Sequence, residues 1–121
     1  MLVGCSSGDG SAGPAQPDPT TASPPPLEAA VRAYSAAFLG NEADTAYEML
    51  TERCQGETAQ AEFQRSVSRA SELFGDAKMT SYADEVDGQV GSATYGFDAS
   101  TIDQVSERWL LVGGSWRNDD C

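Results

Sequence analysis

Three cysteines and a complete lack of histidine bound the chemistry open to this chain. Cys5, Cys54 and Cys121 make an odd set, and an odd thiol in an exported protein calls for a role of its own. Without histidine the commonest general base near neutral pH and the commonest metal ligand are both missing. Carboxylates and phenols remain. Asp76, Asp84, Asp87, Asp98, Asp103, Asp119 and Asp120 fall at turns and ends, where aspartate serves turn chemistry. The stretch "DEVDG" lacks the alternating ligands and distal glutamate of a calcium loop, and reads as a hairpin turn. The closing "NDDC" is at most a weak chelator. No catalytic residue, metal site or cofactor is expected from these patterns.

The elements that must position the remaining groups divide the chain in two. Residues 1–26 hold all six prolines, four glycines and no aromatic residue. Such a segment cannot bury enough apolar surface to offset its ordering entropy, so it reads as a disordered tether. Residues 27–121 carry all ten aromatic residues and form the one expected domain. Of 121 residues, 19 are acidic and 7 basic, a net charge of −12. That field repels phosphate backbones, so nucleic acid is not expected as a partner.

Within the domain, Leu27, Ala30, Val31, Tyr34, Ala37 and Phe38 recur at helical spacing, behind Pro26 and ahead of a left-handed cap at Gly40. Asn41 is read as the cap of a second helix with Ala43, Ala46, Tyr47 and Leu50 inward, ending at Thr51–Cys54. A third helix from about Thr58 buries Phe63, Val67, Ala70 and Phe74 and stops at Gly75. Its polar face carries Glu62, Arg65, Arg69 and Glu72, most simply a solvated surface.

Beyond Gly75 the period drops to two. Asp87-Gly88 and Gly113-Gly114 are strong two-residue hairpin signals. With each pair as the loop, Tyr82 stands opposite Ala93 and Thr80 opposite Tyr95, and Leu111 stands opposite Trp116. Trp109 and Trp116 then share a face, and Arg108 can pair with Asp119 on the other.

Two resemblances extend this reading. "Leu2-Val3-Gly4-Cys5", followed by Ser6-Ser7-Gly8, resembles the lipobox of bacterial lipoproteins. The resemblance implies that Cys5 is acylated and anchors the chain to a membrane, with the domain held outside the cytoplasm. A signal peptide needs a basic region and an apolar run before the cysteine, and only four residues precede Cys5. The expectation is therefore a start upstream of Met1. Were Met1 the start, the protein would be cytoplasmic with reduced thiols. With Cys5 assigned to lipid, Cys54 and Cys121 are left as a pair able to close a disulfide outside the reducing cytosol.

"AFLGNEADTAYEML" and the closing "ERWLLVGGSWRNDDC" resemble the nuclear transport factor 2-like family, also called SnoaL-like, over residues 27–121. This implies an α+β cone: three N-terminal helices packed on a curved four-stranded antiparallel sheet. Small exported members of that family from high-GC Gram-positive bacteria often carry one cysteine after helix 2 and another at the end. A cone encloses a cavity that Tyr34, Phe38, Tyr47, Phe63, Tyr95, Phe97, Trp109 and Trp116 can line; the same rings equally make an ordinary core. The implied function is non-enzymatic binding of an envelope protein or a small apolar ligand. The alternatives are an isomerase or dehydratase acting in the cavity and a purely structural accessory domain.

Overall fold

The computed structural model describes residues 25–121. Cys5 and the tether up to residue 24 lie outside the described residues. The fold is α+β, with helices α1 (Leu27–Leu39), α2 (Ala43–Glu48), α3 (Glu52–Glu57) and α4 (Gln60–Phe74). They are followed by strands β1 (Met79–Asp87), β2 (Val90–Phe97), β3 (Gln104–Val112) and β4 (Ser115–Asn118). The strands form one antiparallel meander in sequence order. Among the described residues no helix is long and apolar enough to cross a membrane.

The helix count corrects the expectation of three. Thr51–Cys54 does not end the second helix; it opens another. Thr51 Oγ1 accepts a hydrogen bond from the Cys54 N–H at 3.3 Å, the geometry of a threonine N-cap. The cap positions between α1 and α2 also differ. Gly40 stays right-handed at φ −87°, whereas Asn41 takes the left-handed turn at φ 61°. Asparagine tolerates that region better than most residues, so the glycine is not needed for it. Glu42, not Asn41, then occupies the N-cap of α2.

The second hairpin follows the Gly113-Gly114 loop, with both glycines at positive φ and Leu111 opposite Trp116. The first is shifted by two residues from the expected register. Its loop is Gly88-Gln89, so Tyr82 stands opposite Tyr95 and Asp84 opposite Ala93. Gly88 is at φ 63° while Gln89 is not in the left-handed region. A II′ loop wants glycine first, whereas Asp-Gly as the loop would have put it second. A two-residue shift preserves the faces, so Tyr82 and Tyr95 still point to the helices' side.

Two buried clusters meet along α1. Leu27 and Val31 pack with Ala93, Tyr95, Trp109 and Trp116 under the sheet. Ala37 packs with Ala46, Leu50, Cys54, Phe63 and Val67 among the helices. Tyr34 touches both clusters, its ring edge-on to Trp109 with centroids 5.6 Å apart. Leu73, on α4, is 62 % exposed.

The C-terminus is stitched to the start of α3. Asn118 pairs with Leu50 in a parallel bridge: the Thr51 N–H donates to the Asn118 carbonyl at 2.9 Å and the Asn118 N–H to the Met49 carbonyl at 2.8 Å. This pairs the outer backbone groups of Asn118 at the end of β4, which would otherwise stand open. The ladder stops at Asn118, so Cys121 is freed from strand alternation. It is bonded to Cys54 across a Cα–Cα distance of 5.6 Å.

Candidate functional site

Between α1 and the sheet lies a cavity of about 190 Å³. The helix contributes Tyr34, Ser35, Phe38 and Leu39, and α4 adds Ala70. Strand β2 contributes Tyr95 and Phe97, and β3 Gln104 and Glu107. Helical spacing in α1 turns Tyr34 and Phe38 to one side, while alternation in β2 does the same for Tyr95 and Phe97. Ile102, from a 3-10 turn at Ser100–Ile102, completes the lining.

The polar end is built on Glu107, a carboxylate only 6 % exposed. Its Oε1 accepts from the Tyr95 hydroxyl at 2.6 Å and from the Trp109 indole N–H at 2.9 Å. Burial pushes the Glu107 carboxyl above the usual carboxylate range, although Tyr95, Trp109 and Asn118 all donate toward it. Neutral donors do not replace the lost hydration of a full charge. Burial and the neighbouring Glu107 charge likewise push the Tyr95 phenol far up. Burial, then Glu107 and Asp120, raise that of Tyr34. Both phenols therefore keep their protons at physiological pH.

The eight aromatic side chains singled out in the sequence separate in space. Tyr34, Phe38, Tyr95 and Phe97 line the cavity. Trp109 is fully buried behind Glu107 and anchors it. Tyr47 and Phe63 belong to the helical cluster, where their rings pack 5.3 Å apart. The Tyr47 hydroxyl lies 2.8 and 3.0 Å from the carbonyls of Gln55 and Thr58, which share its one proton and tie it to α3. Trp116 closes the opposite side of the sheet cluster and donates its indole N–H to the Pro25 carbonyl at 2.8 Å.

Glu107 is absent from the carboxylates that the sequence singles out, all of them aspartates at turns. The signal was available. Counting back two residues from Trp109 along β3 places Glu107 on the same inward face.

Of those aspartates, Asp119 is the other buried carboxylate. It accepts from the Thr51 hydroxyl at 2.6 Å, Arg108 Nε at 2.9 Å and Arg53 Nε at 3.2 Å. Burial alone would raise its carboxyl, but the Thr51 hydroxyl and the two guanidiniums together hold it below the ordinary range. Asp84 and Asp103 are committed locally, to the Tyr82 hydroxyl and the Phe97 N–H respectively.

No family model matches this chain, and neither a curated protein nor a solved structure is matched by it.

Proposed function

We propose that this chain is an exported lipoprotein, held at a membrane through acylated Cys5, whose domain binds a small ligand without transforming it. The domain is read as a cone of the nuclear transport factor 2-like kind. The observation that carries the binding reading is the cavity itself: four aromatic rings and three aliphatic side chains around one polar end, Tyr95 with Glu107. Apolar walls with a few convergent polar groups are the usual make-up of a small-molecule site. The Cys54–Cys121 bond suits a domain that works outside the reducing cytosol. The net charge of −12 speaks against nucleic acid as partner.

A second reading, acid–base catalysis of the isomerase or dehydratase type, draws on the same pair, since Tyr95 and Glu107 are hydrogen-bonded in a cavity. Binding is the stronger reading because Glu107 Oε1 already holds two donors and the Tyr95 proton is committed to it. A base so occupied has little capacity to abstract a substrate proton.

The cavity is tested with a panel of fragments of six to ten non-hydrogen atoms, followed through the NMR signal of the Trp109 indole N–H. Binding fragments shift that signal, and Ala70→Leu, which fills the cavity, abolishes the shift. A signal unmoved by every fragment overturns the reading. The anchor is tested by feeding cells a fatty-acid analogue. The product of the natural gene should be labelled, and its Cys5→Ala variant should not.

A further inference from the structure

Resting on the small-ligand reading above, we propose that the cavity selects an organic cation, a compact substituted ammonium, in preference to a neutral molecule of the same shape. Three independent features of the lining point that way.

Charge comes first. Among the described residues lining the cavity, Glu107 is the one ionisable carboxylate, and no lysine or arginine accompanies it. The two guanidiniums nearest in sequence serve other ends: Arg108 is directed to Asp119 and Arg117 to the Glu48 carbonyl. A carboxylate this deeply buried without a cation is an incomplete ion pair.

Hydrogen-bond polarity comes second. The Tyr95 hydroxyl spends its proton on Glu107, so its oxygen can only accept, and the Ser35 hydroxyl already turns toward it. The Gln104 amide donates one N–H to the Ile102 carbonyl at 3.2 Å and keeps its side-chain carbonyl as an acceptor beside a second N–H. The Glu107 carboxylate only accepts, and the Tyr34 hydroxyl can turn either way. The polar end is therefore rich in acceptors, so it favours a ligand that brings positive charge or donors.

The walls come third. Tyr34, Phe38, Tyr95 and Phe97 surround the space, and aromatic rings attract ammonium groups through their quadrupoles. Size fits as well: 190 Å³ corresponds to roughly six waters at their liquid volume. That holds a small ammonium head with a short substituent and excludes bulky ligands. Outside the cavity, the net charge of −12 raises the local concentration of cations.

The test titrates the full chain with choline and, separately, with 3,3-dimethylbutan-1-ol, in which carbon replaces the charged nitrogen. Both are followed by calorimetry and by the Trp109 indole signal. Choline is expected to bind about tenfold more tightly than the alcohol, the scale of a cation–π contact joined to a desolvated charge. Glu107→Gln should remove that preference, since an amide keeps the shape but not the charge. The comparison of the two probes on the unaltered protein needs no variant, so it stands even if Glu107→Gln fails to fold. Equal binding of choline and the alcohol overturns the cation inference while leaving the small-ligand reading intact. If neither probe nor any fragment moves the Trp109 signal, both readings fall together.

Discussion

Glu107 and Asp119 are buried alike, 6 % and 5 % exposed, yet their surroundings drive them in opposite directions. Asp119 sits in the clasp that joins the C-terminus to α3, with two guanidiniums and a threonine hydroxyl turned toward it. Glu107 sits at the cavity with a phenol, an indole and the Asn118 side chain, all neutral. Burial raises both carboxyls; only in the clasp do the partners outweigh it. The difference teaches where the molecule has completed its own electrostatics and where it has left a charge for something else to complete. The clasp holds the fold together. The cavity is the place that gains from a ligand.

Removing the covalent part of the clasp has the largest expected effect. The Cys54–Cys121 bond spans 67 residues, and loop-closure entropy assigns such a bridge about 4 kcal/mol. Reductant, or Cys54→Ala with Cys121→Ala, should lower unfolding stability by that order in urea titrations. A loss under about 1 kcal/mol would mean that the non-covalent contacts of Asn118 and Asp119 already fix the terminus. Next comes Asp119→Ala, expected to cost about 2 kcal/mol, the scale of hydrogen bonds to a charged group. The cost stays moderate because Arg53 and Arg108 are half exposed, at 50 % and 53 %, and can hydrate instead. Asp119 also adds an acid dependence. Its native carboxyl is held low, so its stabilisation is complete above the ordinary aspartate range, near pH 4, and is lost as pH falls through and below it. The alanine variant should lack that part of the acid limb in melts between pH 2 and 5.

Much of this architecture is legible in the sequence where one physical signal dominates. The stripe from Leu27 to Phe38 gives α1 because nothing competes with its helical period, and Gly113-Gly114 dictates its hairpin because both loop positions need positive φ. Legibility fails where two local signals compete. Thr51 follows α2 closely enough to read as its end, and only the hydrogen bond back from Cys54 makes it a beginning. Asp87-Gly88 and Gly88-Gln89 are both acceptable loops, and the choice falls to cross-strand packing of Tyr82 on Tyr95. The candidate site was half visible. Tyr34, Phe38, Tyr95 and Phe97 stand out by type, but a strand glutamate reads as solvent-facing until the inward face is known. Trp109, buried two residues later, identifies that face.

The smallest expected effect sharpens the contrast most, because its sign is opposite to that of Asp119. The native Glu107 carboxyl is raised, so the folded state holds this proton more tightly than the unfolded chain does. Stability assigned to it is therefore greatest below the ordinary glutamate range, near pH 4, and declines as pH climbs through the raised native value. Tyr34 and Tyr95 face the same carboxyl and keep their protons throughout, while Asp120 adds a like charge that favours the protonated form. Glu107→Gln keeps acceptors for Tyr95 and Trp109 and removes the charge. Its stability should lie within about 1 kcal/mol of the natural chain, the worth of one rearranged hydrogen bond. Melts of both proteins from pH 3 to 8 should show the difference moving in the variant's favour as pH rises. A difference that stays flat would mean that Glu107 is electrostatically complete without a ligand, as Asp119 is, and the contrast between clasp and cavity would disappear.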